Sequence, residues 1–195
     1  MRDISLVIPS HNGYESLLTL LPRASSLLST LGSLEVLLVD DGSDPWDAEG
    51  LREVAREDAT VRLIRLNNRR GQIYATLVGV SLATGRIVVT MDDDGSHPPE
   101  VVPRMVELLR SDEQVDLIYA APLKEAGHPF HRRPLVRRLG TRVNNFLFHR
   151  YLGLPAGVPV GSFRAIRHEL ITDALALPVR YPYLSAMLLQ LEPKV

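Results

Sequence analysis

Apolar positions along this chain follow two rhythms that take turns. Short continuous runs rich in Ile, Val and Leu occupy residues 4–8, 34–39, 61–66, 86–91 and 115–120. Continuous runs of this length, bounded by polar and turn residues, predict strands buried on both faces. Between them, over about residues 14–31, 47–57, 72–83 and 100–110, apolar residues recur at helical spacing. Strands alternating with helices predict βαβ units, hence an α/β domain whose mostly parallel sheet carries helices on both faces. Pro22 inside the first helical stretch predicts a kink or two shorter helices, because proline removes an interior amide donor. Gly32 and Gly85 stand where glycines that end helices belong.

Beyond residue 121 the alternation stops. Residues 122–134 contain Pro122, Pro129 and Pro134 among mixed charges and read as a loop. Residues 135–152 read as a helix, with Leu135, Leu139, Val143, Phe146, Leu147 and Tyr151 sharing one face. A Pro/Gly-rich turn over 153–161 leads into Ser162-Phe163-Arg164-Ala165-Ile166, and the last apolar segment, 183–191, is too short to span a bilayer. The final Glu192-Pro193-Lys194-Val195 reads as the start of another strand, so the chain is expected to stop short of its natural end. One domain over 1–195 is expected, with a regular part at about 1–121 and an irregular part at about 122–195.

Composition narrows the classes. A formal net charge of -1 offers nucleic acid no global attraction, and the absence of Cys excludes disulfides, thiolate metal sites and thiol nucleophiles. The N-terminus enters a strand directly, without the basic start and apolar block of a signal peptide, so a cytoplasmic protein is expected. Charge is nevertheless local. Arg132, Arg133, Arg137, Arg138 and Arg142 share the stretch 128–142 with His128 and His131 and with no acid. Such a block solvates a face, holds phosphate, or lies against an anionic leaflet.

The densest chemistry follows the fourth predicted strand, in Asp92-Asp93-Asp94-Gly95-Ser96-His97-Pro98-Pro99. Adjacent carboxylates repel, and a fold keeps them together at low cost only in water or against a cation. If the chain stays extended, Asp92 and Asp94 face one way and Asp93 the other. Two such acids suit a hard cation, Mg²⁺ or Mn²⁺, that carries a phosphate. A plainer reading has Ser96 or His97 capping the helix that opens at the prolines. The other strand ends carry Pro9-Ser10-His11-Asn12, Asp40-Asp41-Gly42-Ser43-Asp44 and Asn67-Asn68-Arg69-Arg70-Gly71-Gln72. Each alone is an ordinary turn. Gathered at the carboxyl edge of one open sheet, where ligands bind, they make a site. Neither a dinucleotide Gly-x-Gly-x-x-Gly after the first strand nor a P-loop motif is present.

The succession Ile-Pro-Ser-His-Asn, Val-Asp-Asp-Gly-Ser, Asn-x-Arg-x-Gly-Gln and Met-Asp-Asp-Asp-x-Ser-His-Pro-Pro resembles the inverting family 2 glycosyltransferases of the GT-A (Rossmann-like) fold. Among them it is most similar to the polyprenyl-phosphate glycosyltransferases, the group that includes dolichyl-phosphate mannose synthase. The likeness runs from about residue 4 to 189. It implies that the first part, about 1–121, binds a nucleotide-sugar and that about 122–195 forms the acceptor side. Pro9, His11 and Asn12 would border base and ribose, and Asp40 or its neighbour Asp41 would accept from the base. Gly71, Gln72, Asp92 and Asp93 would complete the donor site. Asp92 and Asp94 match the Asp-x-Asp motif, Asp94 as direct metal ligand, and Ser96 stands where relatives often carry a second ligand, Gln. Thr141, Arg142 and Asn145 resemble a Ser-Arg-x-x-Asn stretch near the acceptor phosphate, and Arg164 belongs to a similar Phe-Arg segment beneath the site. Two departures touch the acceptor side: Ala121-Pro122 replaces a common Arg, with Lys124 nearby, and Val158 replaces a common Asp.

The resemblance implies transfer of a sugar, with inversion, from a nucleotide-diphosphate-sugar to a polyprenyl (dolichyl or undecaprenyl) phosphate at the inner membrane face, with peripheral membrane contact and no nucleic acid. An acceptor that is already an anion needs positioning and charge compensation rather than a base, which fits many arginines and no evident His–Asp pair. Catalytic roles then fall to Asp92, Asp94 and Arg142. Two alternatives stay open: transfer to a glycan or small-molecule hydroxyl, or a non-catalytic nucleotide-sugar-binding fragment. A phosphohydrolase would place its Asp-x-Asp pair on the first strand, not after the fourth.

Overall fold

A computed structural model describes residues 2–120, 161–180 and 182–195. Its centre is one sheet of six strands: β1 (Arg2–Ser10), β2 (Leu34–Asp40), β3 (Val61–Arg65), β4 (Gly85–Thr90), β5 (Leu117–Tyr119) and β6 (Arg164–Arg167), in the order β3-β2-β1-β4-β6-β5. β1 pairs in parallel with β2 and β4, and β2 with β3, as the βαβ pattern predicts. β6 is antiparallel to both neighbours and separates β4 from β5. Its place in the sheet has no counterpart in the apolar pattern.

Helices cover both faces, as expected. Ile4, Leu6 and Ile8 of β1 point to one side, where α1 (Tyr14–Ser29), α2 (Pro45–Glu57) and α4 (Val102–Ser111) supply Leu17, Leu28, Leu51, Met105 and Leu109. Val7, Leu37 and Val88 point to the other, against α3 (Gln72–Leu82), α5 (His168–Leu175) and α6 (Leu184–Leu189). This alternation is the two-residue period of a strand, and each fully buried Leu or Ile contributes roughly 1.5–3 kcal/mol. Residues 183–191 thus find their apolar partner in the core, and among the described residues no helix is long and apolar enough to cross a membrane.

Three local expectations need correction. Pro22 does not divide the first helical stretch into two shorter helices, since α1 continues through it as one; that residue is exposed, so water can solvate the carbonyl its missing amide leaves unbonded. Residues 192–195 form no strand: the Lys194 carbonyl accepts the amides of Asp116 and Leu117 beside β5. Gly85 ends no helix. α3 stops at Leu82 with an extended Ala83, and Gly85 opens β4, where a Cβ would stand 2.4 Å from the Ser5 nitrogen. β4 approaches β1 this closely because a polar staple lies at their amino ends. Glu35 Oε1 accepts from the Ser5 hydroxyl (2.5 Å), the Thr84 amide (2.6 Å) and the Thr84 hydroxyl (2.8 Å), while Ser5 Oγ accepts the Gly85 amide at 2.7 Å. Burial opposes the Glu35 charge, but these donors outweigh it and hold the carboxyl below its ordinary value.

A glutamate with a lowered folded-state pKa stabilises at neutral pH, and that contribution is lost as pH falls through the lowered value. Glu35→Ala is therefore expected to cost about 1–3 kcal/mol at neutral pH, seen as a lower urea midpoint, by removing the acceptor of the buried Ser5 hydroxyl. The variant's stability should fall less steeply with acid than the wild type's. An unchanged midpoint would show that the staple contributes nothing.

Candidate active site

The carboxyl ends of β1, β2 and β4 and the amino end of α3 converge at one edge of the sheet. β1 leaves through Asn12, whose positive φ of 56° turns the chain. Its amide donates to Ser43 Oγ at 2.9 Å, its side-chain nitrogen donates to Asp44 Oδ2 at 3.1 Å, and its Oδ1 accepts the Asp44 amide at 2.9 Å. The loops after β1 and β2 are therefore one hydrogen-bonded unit. Beside it, the Nδ1 of half-buried His11 has no hydrogen-bond partner.

The two acids after β2 do different work. Asp41 turns inward and accepts the amides of Arg70 (2.6 Å) and Gly71 (2.7 Å), fixing the loop that precedes α3. Asp40 Oδ1 accepts the Ser43 amide at 2.8 Å, but its Oδ2 has no hydrogen-bond partner and faces Arg65 Nε at 3.4 Å. Both acids are buried. Of the pair, Asp40 holds the oxygen with acceptor capacity to spare.

β4 ends at Thr90, and bends begin at Asp93. The alternation that places Asp92 and Asp94 on one face of an extended segment therefore does not reach them, and each is positioned by its own partners. Asp92 Oδ1 accepts from Gln72 Nε2 at 2.5 Å and Oδ2 from the Ser162 hydroxyl at 2.9 Å, which ties β4 to α3 and to the approach of β6. Asp93 lies over Gly13, where a Cβ would come within 2.0 Å of its Oδ2, so a side chain at Gly13 would displace the Asp93 carboxylate from this position. Burial, reinforced by the neighbouring charges of Asp94 and Asp92, pushes the Asp93 carboxyl up despite the nearby Ser10 hydroxyl. Asp94 is exposed. Partial burial works against its charge, but hydrogen bonding from Ser96, including the amide at 2.9 Å, and the proximity of His97 hold it below the ordinary value. Three consecutive acids thus divide into a braced one, one that resists ionisation and one kept ionised at the surface.

Neither Ser96 nor His97 caps the helix. A 3₁₀ turn (Pro99–Val101) opens after Pro98 without a side-chain cap. His97 instead buckles the acidic loop: its Nδ1 accepts the Asp92 amide at 3.0 Å, its Nε2 lies 3.9 Å from Asp92 Oδ2, and its ring stacks on Phe163 with centroids 4.7 Å apart.

Between the start of α3, the approach to β6 and α6 opens a cleft of about 270 Å³, lined by Gln72, Ile73, Thr76, Ser162, Arg164 and Ser185 among others. Arg164, only 4% exposed, forms part of its wall. Its Nε donates to Thr90 Oγ1 at 3.2 Å and its Nη1 to Ser185 Oγ at 2.5 Å, and the Thr90 hydroxyl donates to the Ser162 carbonyl. Among the described residues no carboxylate pairs with this buried cation. A relay of polar contacts therefore runs from Ser185 through Arg164, Thr90 and Ser162 to Asp92. Sequence reasoning names Arg164 and Asp92 but misses Thr90 and Ser185. A lone serine in the apolar run 183–191 is the one signal for the latter.

Pro9, His11, Asn12, Asp40, Asp41, Gly71, Gln72, Asp92, Asp93, Asp94, Ser96 and Arg164 all lie along this edge or its cleft. Thr141, Arg142 and Asn145, with Lys124, Val158 and the expected helix 135–152, fall outside the described residues.

A family model for "Glycosyl transferase family 2" matches residues 5–174. The chain belongs to glycosyl transferase family 2. It is 34% identical over 177 residues to undecaprenyl-phosphate 4-deoxy-4-formamido-L-arabinose transferase of Klebsiella pneumoniae (strain 342), a match over 90% of this chain and 51% of that protein. The chain thus spans about half the length of the curated relatives it matches. Among solved structures it resembles glucosyl-3-phosphoglycerate synthase from Mycobacterium tuberculosis in complex with Mn²⁺ and UDP-glucose, with TM-score 0.63 and 24% identity over 88% of this chain and 58% of that one. It also resembles the mannosyltransferase PcManGT from Pyrobaculum calidifontis in complex with GDP-Man and Mn²⁺, with TM-score 0.59 and 20% identity over 95% and 50%. The fold of this family 2 member is GT-A, as its motif order implies.

Proposed function

We propose that this family 2 member transfers a sugar, with inversion, from a nucleotide-diphosphate-sugar to a polyprenyl phosphate at the cytoplasmic face of a membrane. The observation that carries the reading is the joint placement, at one sheet edge, of an ionised Asp94, a braced Asp92 and a cleft walled by a buried arginine. The curated relatives named for undecaprenyl-phosphate support the acceptor class, and solved neighbours carrying nucleotide-sugars with Mn²⁺ support the donor class.

The donor residues divide the work. Asn12 and His11 border the base and ribose. Asp40 Oδ2 accepts from the base once Arg65, whose side chain is 38% exposed, moves aside. Gly71 and Gln72 form the rim at the start of α3. Asp94 fits a divalent cation of the Mg²⁺ or Mn²⁺ type: it is an oxygen donor, exposed and held ionised, and such cations take one or two carboxylates and complete their shell with water and phosphate. Asp94 would hold the ion, with Asp92 near its waters, while Ser96 holds Asp94 in place through its amide. Bound there, the cation would supply charge neutralisation for the departing diphosphate.

On the acceptor side, Arg164 contributes positive potential in the cleft wall, and Arg142 with Thr141 and Asn145 meets the acceptor phosphate, as their resemblance to the family's Ser-Arg-x-x-Asn stretch implies. A phosphate acceptor is already nucleophilic at neutral pH, so orientation suffices and no protein base is required. The test is transfer by the 195-residue chain from a panel of nucleotide-sugars to a short polyprenyl phosphate, with Mn²⁺ and with chelator. Metal-dependent formation of the lipid-linked sugar is expected. Transfer to a glycan hydroxyl with none to the lipid phosphate would overturn the acceptor assignment.

A further inference from the structure

The loop before α3 and that helix's first turn present two exposed runs, Asn67-Asn68-Arg69-Arg70 and Gln72-Ile73-Tyr74, separated only by half-exposed Gly71. Ile73 is 53% exposed and Tyr74 47%. The Arg70 guanidinium lies over the Tyr74 ring, 5.9 Å from its centroid, and among the described residues neither Arg69 nor Arg70 pairs with a carboxylate. Two large apolar side chains thus stand exposed beside two arginines that no described carboxylate compensates.

We propose that this patch is a membrane-docking surface, its occupant the headgroup region of an anionic bilayer. Three features fit that partner. Tyrosine and isoleucine beside arginine is the make-up of an interfacial contact, with the apolar groups entering and the guanidiniums meeting lipid phosphates. The chain as a whole carries a net charge of -1 and would not be drawn to an anionic leaflet, so attraction must be local. The patch is also rigid, because buried Asp41 grips the amides of Arg70 at 2.6 Å and Gly71 at 2.7 Å, so docking orders little that is not already ordered. Ile73 both belongs to the patch and lines the cleft. A bilayer seated there would bring a lipid phosphate to the cleft mouth, and only that last step rests on the proposed transferase reading.

The test needs no donor or polyprenyl phosphate, so its failure and failure of the transfer assay are separate results. The full chain is sedimented with phosphatidylcholine vesicles and with mixed phosphatidylcholine–phosphatidylglycerol vesicles. Strong partition to the mixed vesicles, weakened by salt, is expected. Ile73→Glu/Tyr74→Glu and Arg69→Glu/Arg70→Glu should each weaken it by more than about tenfold. Leu108→Glu, at an exposed leucine on α4 across the sheet, should leave it unchanged. Thermal melts confirm that each variant is folded. No binding by the wild type, equal binding to both vesicle types, or wild-type binding by both patch variants would overturn the proposal. So would an equal loss in the Leu108 variant.

Discussion

Asp94→Ala is expected to lower metal-dependent transfer by at least about a hundredfold while the protein remains folded. The size follows from the role proposed for the group: a cation it held would set positive charge where a leaving diphosphate develops its own, and such preorganised charge typically governs rate by a factor of about a hundred to a thousand. The small structural cost follows from its surroundings. Asp94 is exposed, and it accepts the Ser96 amide at 2.9 Å, a donor that water can satisfy after the substitution. A surface change of this kind usually stays within about 0.5 kcal/mol. Nucleotide-sugar binding by calorimetry with and without Mn²⁺, read beside a thermal melt, separates the two effects. The variant should lose the increment in affinity that Mn²⁺ gives. Transfer within about twofold of wild type would remove the metal role from Asp94.

How far the sequence reveals this protein depends on where each residue finds its partners. β1, β2 and β4 are legible because strands buried on both faces must be apolar nearly throughout, and the helices between them because one face of each is buried. β6 is illegible for the opposite reason. Its four residues, Arg164–Arg167, begin and end with arginine, a poor strand pattern until the tertiary partners appear. Arg164 is satisfied by Thr90 and Ser185, and Arg167 donates to the carbonyls of Val115 at 2.7 Å and Asp112 at 2.9 Å and to that of Leu109. No local signal encodes those contacts.

The site divides the same way. That acids, Asn and Gln gather at strand ends can be read from the motifs, since topology alone brings the carboxyl ends together. Which atom does what cannot. Asp40 and Asp41 are equivalent in the sequence and separate only when Asp41 is seen gripping the loop before α3. His97 reads as a helix cap and serves as a buckle on Asp92. Gly85 reads as a helix stop and is instead the point where two strands come too close for a side chain. In each case residue type limits the possible roles, and a contact distant in sequence chooses among them.

Arg164→Met tests the longest of those distant contacts and should damage stability and transfer together. The side chain is 4% exposed and donates to the hydroxyls of Thr90 and Ser185. Methionine fills much of its volume but leaves both hydroxyls short of a donor, and losing two bonds from a charged group is expected to cost about 2–4 kcal/mol. The loss should travel further. Thr90 donates to the Ser162 carbonyl and Ser162 to Asp92 Oδ2, so slack in Arg164 loosens a carboxylate at the proposed donor site as well as removing positive charge from the cleft. Two companion variants separate these effects. Arg164→Lys keeps the charge without the planar fork and should recover acceptor affinity more than stability. Ser162→Ala cuts the tether while sparing the buried cation, so it should melt within a few degrees of wild type and weaken donor use more than acceptor use. If Arg164→Met is as stable and as active as wild type, the relay carries neither load. If Ser162→Ala leaves donor affinity untouched, Gln72 alone suffices to hold Asp92.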